Sequence, residues 1–142
     1  MFSERISTIE GLLEQHSSPD DRLEAFVSWF VEMILGEELF MRLVLRELLD
    51  GAEERLEYLA KTVFKEPFAL LTSLIADCAD TPDPVITAAS VASLILGNYQ
   101  IGRVLPYLAG DNSKPSTVNT VTGEIMMILR ATFQPRKDSW KL

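Results

Sequence analysis

The chain offers few groups with which to make or break a bond. Its one histidine, His16, stands in the polar run "HSSPDD", and its one cysteine, Cys78, lies near the end of an apolar helical stripe. One histidine supplies one metal ligand of the several a site needs, and no Glu-x-x-His pair exists to build a di-iron carboxylate bundle. One cysteine makes neither an internal disulfide nor a thiolate zinc site. With no cationic neighbour in sequence to lower its pKa, Cys78 reads as a small buried hydrophobe rather than a redox thiol. No glycine-rich phosphate loop and no Gly-x-Ser-x-Gly elbow occur. The acidic residues fall mostly on the outer faces of helices, where Asp and Glu belong. The expectation is a protein that is not an enzyme and needs no metal or cofactor.

What these residue types do suit is holding an apolar molecule. Two apolar rows run side by side on one helix, and among them stand Trp29, Phe30 and Met33. Phe64 and Phe68 flank Pro67, with Leu71 one turn on. A proline inside a helix removes a backbone hydrogen bond and kinks or splits it, which opens space between helices. Aromatic and methionine side chains line many apolar ligand sites, and Asn98, Tyr99 and Arg103 offer the few polar groups that fix an orientation. Singly, each of these residues reads as core or surface; as a set they mark a candidate ligand pocket. Arg46 is a weaker candidate for an anionic group. It belongs to the ladder Glu38, Arg42, Arg46, Asp50, four residues apart, and such solvated pairs contribute about 0.2–0.5 kcal/mol each.

Helices must position these groups, because no segment alternates with a period of two. The first covers about 3–15, with Ile6, Ile9, Leu12 and Leu13 on one side. "HSSPDD" breaks it, and Pro19 or Asp20 opens the second. That helix carries Leu23, Phe26, Val27, Phe30, Val31, Ile34 and Leu35 at spacings of three and four, with Ala25, Trp29 and Met33 alongside. Its apolar face is too wide for one neighbour. Gly36 is expected to end it in the left-handed conformation. The third helix is "EELFMRLVLRELL", closed by "DG". The fourth runs over about 52–79 and is interrupted at Pro67. "DTPDP" is a turn, and the fifth helix follows, breaking or bending near Gly97 or Gly102 with Pro106 ending the regular part. "AGDNSKPS" is a polar loop. The sixth helix covers about 116–133, and "QPRKDSWKL" is a basic tail. The fold class is therefore all-α: a single-domain bundle of about six helices over 1–135, with a tail over 136–142.

The formal net charge of −8 opposes attraction to nucleic acid or anionic lipid, which need a basic face. The opening residues, "MFSERISTIEGLLEQ", lack the apolar run of a signal peptide, and the cytoplasm is the simplest compartment. One stretch departs from the rest. "PVITAASVASLILGNYQIG" has no charged side chain in a chain that is 24% charged. It is long enough to span a bilayer, but its recurrent Ser, Thr, Asn and Gln and the lack of a basic flank argue against a span. Apolar or small all around, it would expose apolar surface to water unless a second copy covered it. Ala88, Ala92, Ile95 and Tyr99 on this helix, with Val121, Ile125, Met126 and Leu129 on the sixth, are the expected faces of a symmetric four-helix homodimer interface.

The order of these parts resembles the C-terminal, ligand-binding and dimerisation domain of the TetR (tetracycline-repressor-like) transcriptional regulators. "DRLEAFVSWFVEMI", "LFMRLVLRELLDGAEERLEYLAKTVFKEPFALLTSLIADC" and "ASVASLILGNYQIGRVLPYLAG" carry the resemblance, the middle segment above all. It implies a pocket lined from the second to fifth helices and a dimer face on the fifth and sixth. It also implies a mechanism in which a small-molecule effector shifts the dimer between two arrangements and so changes the spacing of two DNA-reading heads. The family's N-terminal helix-turn-helix has no counterpart in this sequence, so any contact with DNA would run through a domain absent from it. An all-helical module that docks another protein and takes no ligand is the competing reading.

Overall fold

The computed structural model describes residues 2–110 and 117–133, and their side chains from residue 7 onward. Of these residues 88% are helical and none is in a strand, so the all-α expectation holds. The expected polar loop over 111–116, the start of the sixth helix at Ser116, the basic tail and the side chain of Ile6 lie outside the described residues.

Helix α1, Phe2–Glu14, lays Ile9 and Leu13 onto α2, Pro19–Gly36. Pro19 sits in the first turn of α2, where its missing N–H costs nothing. The Ser18 hydroxyl accepts from the Asp21 N–H at 3.5 Å, and Asp20 and Asp21 place negative charge at the positive end of the helix. The two apolar rows of α2 have a plain cause: the helix packs against α1 and against the helices over Glu38–Asp50, Lys65–Cys78, Pro84–Gly102 and Val118–Phe133, and Leu23, Phe26, Val27, Phe30, Val31, Met33 and Ile34 are all buried. Each such side chain stabilises the fold by roughly 1.5–3 kcal/mol relative to exposure. Gly36 does not end α2 in the left-handed conformation; among the described residues Gly110 alone has a positive φ. The chain instead turns on the single non-helical residue Glu37, at φ −122° and ψ 55°, whose N–H still donates to the Met33 carbonyl.

Helix α3 follows as Glu38–Asp50. Its expected charge ladder forms only in part. Arg42 Nε lies 3.8 Å from Glu38, whereas Arg55 of the next helix bonds Glu47 at 3.0 Å. The expected long fourth helix is α4, Glu53–Leu59, a π-helical turn over Ala60–Phe64, and α5, Lys65–Cys78. Pro67 explains the wide turn. Its ring would strike the carbonyl one α-helical turn back and it donates no hydrogen bond there. The strain is taken up just upstream, where the Lys65 N–H reaches five residues back to the Ala60 carbonyl.

Helix α6, Pro84–Gly102, is capped by Asp83, whose side chain accepts from the Ile86 N–H at 3.1 Å. It runs through Gly97 without a break. A short α7, Leu105–Ala109, then contains Pro106 in its first turn rather than ending at it. Helix α8, Val118–Phe133, returns along α2. By length and composition α6 is the one described helix that could cross a membrane. Its polar side chains turn back on the helix: Ser90, Ser93 and Asn98 each bond the carbonyl four residues earlier, at 3.0, 2.8 and 2.9 Å. Only Ala88, Val91 and Ile95 are buried. The stripe diametrically opposite on the helix wheel, Ile86, Ser90, Ser93, Gly97 and Ile101, carries no charge, and Ile86 and Ile101 are 62% and 55% exposed.

The burial pattern corrects the expected dimer face. Ala88, Ile95, Ile125, Met126 and Leu129 are all buried in the chain's own core rather than on an outer face. An amphipathic helix turns its largest apolar row inward first, and α8 does so along Thr122, Ile125, Met126 and Leu129. Ala92, Tyr99 and Val121 are half-buried against the same core.

Candidate functional site

The expected pocket residues separate into three places. Phe30 from α2, Phe64 from the π turn, and Phe68 and Leu71 from α5 do converge. They border a cavity of about 240 Å³ that is open to solvent on one side, completed by Phe26, Leu48, Pro67 and four residues of α6: Ala89, Ala92, Ile95 and Leu96. Every one of these side chains is hydrocarbon. The volume exceeds the roughly 150 Å³ that admits benzene in an apolar cavity. It is just under the ~300–1,000 Å³ of drug-sized sites.

The geometry follows from the sequence. The π turn and Pro67 keep Phe64 and Phe68 from closing fully on α6, and α6 opposite them presents small residues, Ala89 and Ala92, where larger ones would fill the gap. Behind the wall, Phe26 stacks on Phe30 with ring centroids 6.1 Å apart, and Trp29 lies tilted against both, at 5.7 and 6.2 Å. Such ring pairs add about 0.5–1.5 kcal/mol beyond burial and hold the wall rigid.

Trp29 and Met33 do not line the cavity. They border a shallow recess with Glu32, Gly36 and Glu37 on the side of α2 facing the start of α3. The two helical rows of α2 point to different neighbours, so the row beside the core stripe serves packing. Asn98 and Arg103 lie in neither place. With Tyr99 they border a second cavity of about 160 Å³ among α2, α6 and α8, lined by Val31, Ile34, Leu35, Ile95, Gly102 and Val121. Ile95 borders both cavities. The Tyr99 hydroxyl is buried and has no hydrogen-bond partner among the described residues; the Thr122 hydroxyl shares that condition. A buried hydroxyl left so costs roughly 1–3 kcal/mol.

Ala92 and Ile95, expected at a dimer face, are therefore cavity wall. Phe26, Leu48, Ala89 and Leu96 belong to the site although their types did not single them out, and Pro67, expected to open the space, also lines it. Phe26 precedes Phe30 by one turn on the same stripe, which was the available signal.

A third cleft holds the titratable groups. Arg130 of α8 forks onto Asp20 at 2.9–3.2 Å and reaches Glu24 at 3.2 Å, tying α8 to α2. The hydrogen bonds it donates to the Asp20 carboxylate hold the guanidinium proton more firmly still, pushing its pKa above the ordinary value. Cys78 is half-buried beside them and its Sγ donates to the Pro19 carbonyl at 3.1 Å. Burial first, and then the charges of Asp20 and Asp77, push this thiol up from its ordinary range, so it stays protonated and is a poor nucleophile at neutral pH. Among the described residues no three His, Cys, Asp or Glu side chains are grouped as a cation site. No protein-family model, curated protein or solved structure matches this chain.

Proposed function

We propose that the chain is the effector-sensing and dimerisation domain of a TetR-like transcriptional regulator, and that it binds a small apolar or aromatic molecule in the cavity walled by Phe30, Phe64, Phe68 and Leu71. The observation that carries this reading is the cavity itself. A hydrocarbon-lined hollow of about 240 Å³ opening at the edge of the core leaves apolar surface uncovered, and a π turn at its wall is a feature often found at functional sites. The ligand works by differential affinity. It favours whichever packing of α5 on α6 keeps the cavity open, and by linkage that packing favours the ligand.

The second half of the proposal is a homodimer through the outward faces of α6 and α8. Gly97 and Gly123 support it. Each sits inside a helix, where glycine costs roughly 0.5–1 kcal/mol relative to alanine, and at each a Cβ would meet nothing within 4 Å. Nothing among the described residues calls for glycine there; a helix from a second copy passing close by would. DNA would be read by a helix-turn-helix lying outside this chain, with the dimer setting the spacing of two reading heads. Native mass spectrometry of the purified chain tests both halves. A two-chain mass carrying an additional small-molecule mass is the expected result. A single-chain mass at micromolar concentration removes the dimer, and with it the regulator.

A protein-docking module is the second reading. Leu39, Leu43 and Leu49 on α3, with Tyr107 and Leu108 on α7, are exposed and lie outside the α6–α8 faces. A single-chain mass together with no small-molecule binding selects it.

A further inference from the structure

Neither cavity is complete as a ligand site. The first has hydrocarbon volume and no side chain able to fix an orientation. The second has three polar side chains at one end but little volume. One side chain, Ile95, forms a wall of both, and it lies on the helix that lines both.

We infer that the two cavities are the halves of one site, and that its ligand is an amphipathic monocarboxylate whose apolar body lies among Phe30, Phe64 and Phe68 and whose carboxylate meets Arg103, Tyr99 and Asn98. The inference rests on the apolar cavity being a ligand site, as proposed above. The polar end is built for an acceptor. The Tyr99 hydroxyl is buried with no partner, so a ligand oxygen there would satisfy it. Asn98 spends one amide hydrogen on the Leu94 carbonyl at 2.9 Å and keeps the other. Arg103 is exposed and has no ion pair among the described residues, in a chain whose net charge is −8. A guanidinium left unpaired among so many carboxylates is available to an incoming carboxylate, which it can bind through two parallel hydrogen bonds.

The dimensions agree. From Ala92 to Arg103 along α6 is about 16 Å at 1.5 Å per residue. The two spaces together offer about 400 Å³, within the range of sites for molecules of this size. Ile95 must change rotamer to join them. It is a core side chain, so it must shift against its packed neighbours, but it carries no polar atom and desolvates nothing in doing so.

Decanoate and 1-decanol, with the same chain and different heads, separate this inference from the reading it rests on. Binding of each to the full chain is measured by equilibrium dialysis, for the wild type, Arg103→Gln and Tyr99→Phe. The expected result is decanoate binding at least tenfold more tightly than decanol to the wild type. Arg103→Gln abolishes that preference and leaves decanol unchanged. Tyr99→Phe weakens decanoate several-fold while the free protein melts no lower than the wild type. Arg103 is on the surface, so its replacement leaves folding intact, which circular dichroism checks. Equal binding of the two ligands, unaltered in Arg103→Gln, overturns the carboxylate and leaves the apolar cavity standing. Binding of neither overturns both.

Discussion

Ala92→Leu separates a ligand cavity from an ordinary loosely packed core, because it should strengthen the fold and abolish binding together. Ala92 is half-buried on α6 and faces the space among Phe26, Phe30, Phe68 and Leu71. Leucine adds about three carbons, and burying each contributes about 0.8 kcal/mol. Ordering the side chain costs roughly 0.5–1 kcal/mol. The net gain is about 1.5 kcal/mol, or about 5 °C in Tm for a domain of this size. The cavity of about 240 Å³ has room for those carbons but not for those carbons and a ligand. The assay is a thermal melt with and without the neutral fluorophore N-phenyl-1-naphthylamine. At a hundred times its Kd this probe should stabilise the wild type by about 2.7 kcal/mol and the variant by almost nothing. A variant that melts lower, at the roughly 1–3 kcal/mol cost of overpacking, would show that the space is not available. A variant that is stabilised yet binds the probe as the wild type does would place the ligand elsewhere.

The remaining predictions concern the other features of the fold. Gly97→Leu and Gly123→Leu place side chains in open space within one chain, so each should fold as the wild type does and sediment as a monomer; dimeric variants would refute the proposed interface. Cys78 should react slowly with a maleimide at pH 8 and rapidly in urea, because its thiol pKa is raised in the fold. The unfolded thiol ionises first, so the stability Cys78 contributes is complete below about pH 8.5 and is lost as pH rises toward the folded value. Urea midpoints of the wild type should fall over that interval more steeply than those of Cys78→Ala. Arg130→Met should cost no more than about 1 kcal/mol, since the Asp20 and Glu24 pairs are solvent-exposed, and the loss should shrink in high salt; a larger, salt-independent loss would mean the fork is holding α8 in place.

The helices were legible in the sequence because their signals are local. Pro19 and Asp20 after Ser18, and Pro84 after Asp83, start α2 and α6 where proline and a capping side chain require. Pro67 announced a disturbance, although its form, a π turn one step upstream, depends on how Phe64 and Phe68 pack across the interface. The site was legible only in part. Phe64, Phe68 and Leu71 share one side of a single segment, so their convergence follows from helical period alone. Trp29 was misplaced because a helix with neighbours on five sides has no unique inner face, and period cannot say which row meets which neighbour. Which side of α6 faces inward was hard to read for the related reason that the helix is apolar on every side. Its hydrophobic residues carry no directional information, and Ala88, Ile95 and their counterparts on α8 went inward.

The direction missing from the hydrophobic pattern of α6 is supplied by its small and polar residues. Ser90 and Ser93 satisfy their hydroxyls on their own helix, and Gly97 between Ser93 and Ile101 leaves a shallow surface. On the opposite side, Ala92 and Ile95 line the two cavities. The inner face of α6 thus meets whatever the cavities hold, and its outer face is free to meet a second chain. A rigid helix of 19 residues cannot move one face without the other. If a ligand shifts α6 by even a fraction of a side-chain diameter, the outer stripe shifts with it, and close-packed contacts at Gly97 would register that shift more sharply than contacts through long side chains. Coupling between ligand and partner therefore needs no relay through the rest of the bundle. It requires only that the two packings of α6 differ in their affinity for the ligand.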